Sequence, residues 1–560
     1  MQIVECVPNF SEGRDLAVID KITDAIRAVE GVKLLDVDPG ADTNRTVFTF
    51  VGSPEAAAEA AFQVIRRASE LIDMRQHQGA HPRMGATDVC PFVPLSGTTM
   101  EDCAALAEAL GRRVGEELGI PVYLYESAAL RPDRQNLAEV RAGEYEALAT
   151  KLQDPHNAPD FGPASFNARA GATAIGAREF LVAYNINLNT KSVKAARKLA
   201  FAIREQGCNK RDAAGKFVRD AEGLPVKAAG LFKHCKATGW FLDEHSLAQV
   251  TMNLTNFKES SVHEVFDTVC ELATADGLRV TGSEIVGLVP IEAMLSAGRH
   301  YLAKQKTFIG VSQAELILTA IRSLGLRELS DFEPEQKIIE MRVAAARPLA
   351  ARSVAGFLDE LASDSPAPGG GSVAALAASL AAALTAMVPS LTHDKKGFKA
   401  VKAEMNEVAV AAQGLKDLYR DIIDRDTDAF NEVMTAFRQP KGSEAERAAR
   451  DAAILEANKG ATRVPFELLR SVAEDLPRLV EAVIERGNPN SLSDAGVAAQ
   501  MARAGLEGAY LNVGINLAGM TDEESKGFVV ETGQAARHLY ETAAPRFDEL
   551  AERVRARIFS

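Results

Sequence analysis

His77 and His81 are the only two of the chain's nine histidines within five residues of each other. They fall in Arg75-Gln76-His77-Gln78-Gly79-Ala80-His81-Pro82-Arg83-Met84-Gly85-Ala86-Thr87-Asp88. Gly79, Pro82 and Gly85 interrupt any regular periodicity, so the spacing predicts an irregular loop. Imidazole exchanges protons near neutral pH more readily than any other side chain. Two imidazoles on a Gly-rich loop, flanked by Arg75 and Arg83 and closed by Asp88, fit general acid–base chemistry. The competing role is structural, with one histidine ordering the turn by hydrogen bonding. A metal centre fits less well: no third ligand stands nearby, and an HxxxH spacing on a loop does not fix ligand geometry as it does on a helix.

Three further stretches carry usable chemistry. Asp160-Phe161-Gly162-Pro163-Ala164-Ser165-Phe166-Asn167-Ala168-Arg169-Ala170-Gly171-Ala172-Thr173 is again punctuated by Gly and Pro. Phe166 can stack on a flat ring and Arg169 can meet a carboxylate; the alternative is a plain linker. Ala367-Pro368-Gly369-Gly370-Gly371-Ser372 opens an Ala-rich helix, and backbone N–H groups exposed there suit an anion. It lacks the Gly-Lys-Ser/Thr ending of a P-loop, and a flexible turn explains it equally well. Asp421, Asp424, Asp426 and Asp428 crowd one helix, with Asp421, Asp424 and Asp428 on a shared face. A solvated acidic face is the plain explanation, and a single acid or base among them is the other.

These residues must be held by two differently built halves. Up to about residue 325, β-like runs alternate with amphipathic helices: strands at 3–7, 33–38, 46–51 and 88–93, helices at 16–30 and 54–72. The same βαββαβ order recurs with strands at 180–186, 237–242, 250–254 and 279–288 and helices at 192–205 and 262–274. Each unit is expected to be an α+β, ferredoxin-like layer with helices on one face of a largely antiparallel sheet. The interval 207–231 reads as an irregular insertion. After a connector at 327–352, helices are expected at 376–387, 401–437, 444–484, 497–517 and 522–558, broken at Pro389, Pro440, Gly487 and Gly519. That half reads as an all-helical bundle. The expected divisions are 1–178, 179–326, the linker 327–352, and 353–560.

The chain has 560 residues, 47% hydrophobic and 25% charged, with a formal charge of −14. Such a length calls for several domains, and the acidic balance argues against nucleic-acid binding. The six cysteines form no metal-like or CxxC spacing, which suits reduced thiols in the cytoplasm. The apolar run 373–388 falls short of the ~20 residues a bilayer span needs, so a buried helix and no membrane span are expected. Its Ala-rich face favours close helix approach and a homo-oligomer.

Taken together the motifs resemble formimidoyltransferase-cyclodeaminase, the bifunctional folate enzyme of histidine breakdown, over nearly the whole chain. The resemblance rests on Val7-Pro8-Asn9-Phe10-Ser11-Glu12-Gly13-Arg14, Asp36-Val37-Asp38, Thr43-Asn44-Arg45-Thr46, His81-Pro82-Arg83-Met84-Gly85, Asp160-Phe161-Gly162-Pro163 and Ala183-Tyr184-Asn185-Ile186-Asn187-Leu188. In the second half it rests on Ala367 to Ala375, Asp424-Arg425-Asp426-Thr427-Asp428-Ala429-Phe430, Gly487-Asn488 and Ser493-Asp494. It implies transfer of a formimidoyl group between N-formimidoyl-L-glutamate and tetrahydrofolate, then cyclisation of 5-formimidoyl-tetrahydrofolate to 5,10-methenyl-tetrahydrofolate with loss of ammonia. By motif position it implies His81 as the acid–base residue, with His77 secondary and Asp38 orienting it or holding charge. It maps folate binding to Gly162, Pro163, Ala164, Ser165, Phe166, Asn167, Ala168, Arg169, Ala170 and Gly171. Asp424 or its rival Asp426 would serve ring closure, with Gly369, Gly370 and Gly371 lining the folate pocket or receiving its glutamate tail. Tetrahydrofolate, in a polyglutamylated form as well, is then a co-substrate; no metal is implied, and a dimer or ring of dimers is. The 207–231 insertion is longer than in the animal enzymes. The alternatives are a monofunctional transferase whose helical half is an assembly or folate-binding module, and a non-catalytic folate scaffold.

Overall fold

A computed structural model describes residues 2–41, 43–79, 81–212, 216–220, 223–343 and 349–560. The chain divides into two compact units, one of residues 1–297 with 320–343, the other of residues 298–319 with 344–560.

In the first unit, β1 (Ile3–Cys6) runs through Val7 and Pro8 into β2 (Asn9–Phe10). Then come α1 (Leu16–Arg27), β3 (Val32–Gly40), β4 (Arg45–Gly52), α2 (Pro54–Leu71) and β5 (Thr87–Ser96). β4 lies antiparallel between β3 and the β1–β2 strand, and β5 flanks that strand on its other side, also antiparallel. Two strands that periodicity did not reveal extend this sheet. After α3 (Met100–Leu118), β6 (Val122–Glu126) and, beyond the short helices α4 (Leu137–Val140) and α5 (Glu144–Lys151), β7 (Thr173–Ala177) add in parallel beside β5. The sheet therefore has seven strands and is mixed, where a largely antiparallel layer was expected. Parallel strands of one sheet require a crossover; α3 supplies it between β5 and β6, which lie on either side of β7.

Local chemistry sets these boundaries. Asp15 caps α1 by accepting from the Ala17 and Val18 N–H groups, Ser53 caps α2 ahead of Pro54, and Thr99 with Asp102 forms a capping box on α3. Strand side chains alternate between faces. Val4, Cys6, Phe10, Phe48, Phe50, Cys90 and Phe92 form one core with Ile22, Ile26, Val64, Ile65 and Val114 of the helices. Each large apolar side chain so buried contributes roughly 1.5–3 kcal/mol. The intervening residues Glu5, Asn9, Arg45, Val47, Thr49, Val89 and Pro91 are thereby directed to the opposite face, where they line a cavity.

The rest of this unit repeats the element order as β8 (Val182–Leu188), α6 (Val193–Ile203), β11 (Cys235–Leu242), β12 (Leu247–Leu254), α7 (Val262–Ala275) and β13 (Val280–Val286). All pairings are antiparallel, in the order β11-β12-β8-β13. The 207–231 interval, expected to be irregular, carries a two-stranded ladder of β9 (Cys208–Asn209) and β10 (Lys227–Ala228). Following α8 (Ile291–Lys304) and α9 (Gln313–Leu324), the expected connector is structured within 334–343 as α10 (Pro334–Lys337) and α11 (Ile339–Val343). Ile339 packs with Leu35 and Val51, and Ile338 bridges Val289.

The second unit contains α12 (Val354–Leu361), α13 (Gly370–His393), α14 (Lys402–Phe437), α15 (Glu444–Glu474), α16 (Leu476–Arg486), α17 (Leu492–Ala518) and α18 (Lys526–Phe559). α13 packs against α14 and α17. A Cβ on Gly505 or Gly508 of α17 would fall 3.0 or 2.7 Å from the Cβ of Ala378 or Ala374, so small residues on both helices set their close approach. Pro389 lies inside α13 instead of ending it. One lost backbone bond is outweighed there by the buried Thr385, Ala386, Val388 and Thr392. α13 consequently has 24 residues and is long and apolar enough to cross a membrane by length and composition alone, with 56% of its most apolar 18 residues buried. The helix expected over 444–484 is two, divided at Asp475.

Candidate functional site

The cavity on the open face of the seven-stranded sheet has a volume of about 680 Å³, and His81, Asp38, Arg45 and Arg141 are among its lining residues. The loop bearing His81 is held by glycine contacts and by His77. A Cβ on Gly79 would lie 2.2 Å from the Thr43 carbonyl oxygen, and one on Gly85 would lie 2.3 Å from that of Ala172. His77 Nε2–H donates to the Asn44 carbonyl at 2.8 Å, and its Nδ1 accepts from Arg83 Nε at 3.2 Å. Arg83 is in turn paired with Glu144 and Glu146. His77 is thus a structural residue that orders the turn.

His81 is half-buried, and its Nδ1–H donates to the Pro82 carbonyl at 2.7 Å. Arg45 Nη1 lies 2.6 Å from both ring nitrogens, and with Nδ1–H committed to Pro82 it is Nε2 that accepts. Arg45 is fixed by Asn9 Oδ1, which accepts from Nε at 3.0 Å and from Nη2, and lies 3.6 Å from Asp88. Asp88 is fully buried, accepts from the Met84 N–H at 3.0 Å and pairs with Arg141 at 2.8 Å. Burial, reinforced by the Arg45 charge, pushes the His81 pKa down to about 4. Burial also lowers that of Arg45 to about 10, with Asp88 opposing. At neutral pH the site therefore presents an uncharged imidazole beside a guanidinium, and its Nε2 can take a proton once Arg45 turns away from it. Asp38 shares the cavity, but the ring is oriented by Pro82 and Arg45; among the described residues no hydrogen bond joins Asp38 to His81.

The stretch from Gly162 to Gly171 does not line this cavity. It abuts the His81 loop through a bridge between Gly171 and Gly85, and through Tyr145, whose N–H donates to the Arg83 carbonyl and whose hydroxyl donates to the Ala168 carbonyl at 2.5 Å. Phe166 is partly exposed and tilted against the Tyr145 ring at 5.5 Å. The Arg169 guanidinium, expected to meet a carboxylate, instead donates to the Ser69 and Glu70 carbonyls at the end of α2.

In the helical unit the two rival aspartates have different surroundings. Asp424 is buried, and its two oxygens accept from the backbone N–H groups of Leu349 and Ala350 at 2.9 and 3.1 Å. Each oxygen thus holds one N–H of the chain at 349–350. Asp426 faces the first turn of α13, where Ser372 Oγ donates to it at 3.3 Å. Its carboxylate fills the space a side chain at Gly371 would need, with Oδ1 2.1 Å from such a Cβ, and Asn512 stands 3.3 Å from the equivalent position on Gly370. Burial raises the Asp426 pKa, with hydrogen bonds from Ser372 opposing. Gly371 and Asp426 are thus brought together. Among the described residues no cluster of His, Cys, Asp or Glu has the make-up of a metal site.

Arg45, Arg141, Asn9 and Glu5 were not singled out from sequence. For Asn9, Arg45 and Glu5 the signal lay in charged or amide residues at alternate positions of otherwise apolar strands, such as Glu5 between Val4 and Cys6; Arg141 follows α4 and carries no such signal.

Residues 3–178 match the formiminotransferase domain, N-terminal subdomain, residues 183–344 the formiminotransferase domain, and residues 353–534 the formiminotransferase-cyclodeaminase family. The formimidoyltransferase-cyclodeaminase of Mus musculus is 44% identical over 529 residues, covering 94% of each chain. A glutamate formimidoyltransferase of Streptococcus pyogenes is 44% identical over 54% of this chain and 93% of its own. A methenyltetrahydrofolate cyclohydrolase of Methylorubrum extorquens is 42% identical over 33% of this chain and 93% of its own. Two chemically distinct units in one chain, each with its own single-activity relatives, define a bifunctional one-carbon protein. The chain belongs to the formimidoyltransferase-cyclodeaminase family.

Proposed function

We propose that the chain moves the formimidoyl group of N-formimidoyl-L-glutamate to N5 of tetrahydrofolate and then closes 5-formimidoyl-tetrahydrofolate to 5,10-methenyl-tetrahydrofolate with release of ammonia. The observation that carries the first step is the neutral His81 ring held by Pro82 and Arg45 in the cavity. The N5 lone pair attacks the amidine carbon and the N5–C bond forms. His81 takes the N5 proton and returns it to the glutamate nitrogen as that C–N bond breaks. One group then serves as base and acid in turn. Arg45 and Asp38 hold charge around the reacting amidine. In the second step N10 attacks the same carbon as the C=N bond opens; the N10 proton and one proton from Asp426 pass to the departing nitrogen, which leaves as ammonia as the methenyl cation forms. A carboxyl with its pKa raised by burial suits that donation. Asp424 supports the chain beside it.

Several finer features belong to the same reading. The second half of the first unit is ferredoxin-like, and the divisions 1–178, 179–326 and 353–560 are functional domains. Residues 162–171 contribute to folate binding next to the His81 loop, and the 369–371 turn receives folate in the helical domain. The folate is polyglutamylated, the protein is a cytoplasmic homo-oligomer, and its free cysteines suit a reducing compartment.

Supplying N-formimidoyl-L-glutamate and tetrahydrofolate, and following glutamate, ammonia and methenyl-tetrahydrofolate separately, tests the whole. Transfer without ammonia beyond the uncatalysed rate would leave only the transferase. The cyclohydrolase relative favours a second reading of the helical half, in which water opens the methenyl carbon. Accumulation of 10-formyl-tetrahydrofolate in the same assay would select it.

A further inference from the structure

Glu5 has no task in the transfer as derived. It lies on the β1–β2 strand, whose cavity-facing positions are Glu5, Val7 and Asn9. The residue is only 4% exposed. Burial pushes its pKa up to about 7, and the charges that act on it, Arg178 and Glu340, do so without a hydrogen bond. Arg178 spends a donor on the Glu179 carbonyl at 2.9 Å. Among the described residues no hydrogen bond claims its oxygens, so a desolvated carboxyl is kept in the wall of a cavity, an arrangement that costs stability unless a ligand uses it.

Position decides which ligand. Glu5 pairs with Val51 and Val93, and Asn9 with Val47 and Val89. The separation is four residues on all three strands, which is roughly 13 Å at ~3.3 Å per residue. Asn9 holds Arg45, and Arg45 holds His81, so the reacting nitrogen belongs at the Asn9 end. What meets Glu5 is the far end of the ligand bound there. The two carboxylates of formimidoylglutamate have the wrong sign. Its amidine offers paired donors, but the amidine carbon must reach N5 beside His81. The pterin ring carries an N3–H and a 2-amino group side by side, pointing away from N5. Two parallel N–H donors match the two oxygens of a carboxylate, as a guanidinium does.

We propose that Glu5 is a specificity-determining residue that anchors the pterin of tetrahydrofolate by accepting hydrogen bonds from N3–H and the 2-amino group, with Val7 against the ring. The assignment rests on the transferase reading of the cavity.

The test measures glutamate release by the full-length wild type, Glu5→Gln and Glu5→Asp, using tetrahydrofolate and its 2-desamino-2-methyl analogue. Hydrogen bonds to a charged group contribute about 1.5–3 kcal/mol, which corresponds to about a 10- to 150-fold change. Glu5→Gln should raise KM for tetrahydrofolate by such a factor, with kcat within a few-fold and KM for formimidoylglutamate unmoved. Glu5→Asp should recover part of the loss. The wild type should discriminate against the analogue by a similar factor, and Glu5→Gln should not. Equal use of both folates by the wild type overturns the proposal, as does an equal loss on both folates in Glu5→Gln. A rise confined to KM for formimidoylglutamate would assign Glu5 to the amidine instead. If circular dichroism shows the Gln variant unfolded, the wild-type discrimination decides alone. A wild type that releases no glutamate removes the transferase reading itself, an outcome distinct from active enzyme that ignores the 2-amino group.

Discussion

At His81 protonation state governs chemistry. Its folded pKa is about 4, below the usual 6.5, so between those values the folded ring stays neutral while an unfolded chain binds the proton. The base persists through that window, and the ring's contribution to stability falls as pH drops from 6.5 through 4. His81→Ala should abolish transfer while preformed 5-formimidoyl-tetrahydrofolate is still cyclised, as followed by methenyl absorbance. Loss of both activities in a folded variant would contradict separate sites. Removing the neighbouring charge in Arg45→Met should move the acidic limb of kcat/KM upward, because that limb reports the free enzyme. An unmoved limb would show that Arg45 does not set the histidine. The aspartates separate in the same way. Asp426→Asn should stop the sequence at 5-formimidoyl-tetrahydrofolate. Asp424→Asn can accept only one of two buried N–H groups well, so its main effect should be a loss of about 1–3 kcal/mol in denaturant unfolding. Reversed results would return the proton-transfer role to Asp424.

Elements carry the site through backbone contacts, and two glycines test this with opposite outcomes. A methyl group at Gly85 meets the Ala172 and Ala170 carbonyl oxygens at 2.3 and 2.5 Å, both backbone and unable to yield. Gly85→Ala should shift the His81 loop. With a 1 Å misplacement costing about a hundredfold, transfer should fall by that order while cyclisation continues. At Gly371 the obstacle is the Asp426 carboxylate, which can swing away. Gly371→Ala should keep its unfolding midpoint and lose cyclisation. A comparable stability loss in both would mean the contacts are not of these two kinds. The same distinction explains what was legible in sequence. Alternating strands such as Thr46 to Val51 and capped helices such as Leu16 to Arg27 announce themselves locally, and so does a Gly-rich loop with histidines. β6 and β7 did not, because short strands buried on both faces lose the alternation. Pro389 misled because a helix break depends on what the helix buries, which is long-range. Arg45 and Glu5 emerge only when four strands are set in register, and the commitment of Asp424 to residues 349–350 is invisible from its own helix. The family motifs pointed to His81 and the acidic helix; the different surroundings of Asp424 and Asp426 are visible only in three dimensions.

For the whole molecule, two compact units with separate chemistry make complementation the strongest test. Full-length His81→Ala retains the helical site and full-length Asp426→Asn retains the cavity. Neither alone should convert formimidoylglutamate and tetrahydrofolate to methenyl-tetrahydrofolate. Mixed, they should do so after a lag, because 5-formimidoyl-tetrahydrofolate made by one variant must leave it and reach the other. Methenyl absorbance should then rise at a steady rate proportional to the His81→Ala variant once the intermediate has accumulated, and free intermediate should be recoverable by quenching during the lag. The wild type at equal site concentration should show a shorter lag if the intermediate is handed on within one assembly, and the same lag if it is released. A mixture that forms no methenyl product, with each variant folded and active in its remaining step, would mean that a single chain must supply both sites at once, and the two-site description would have to be replaced by one shared centre.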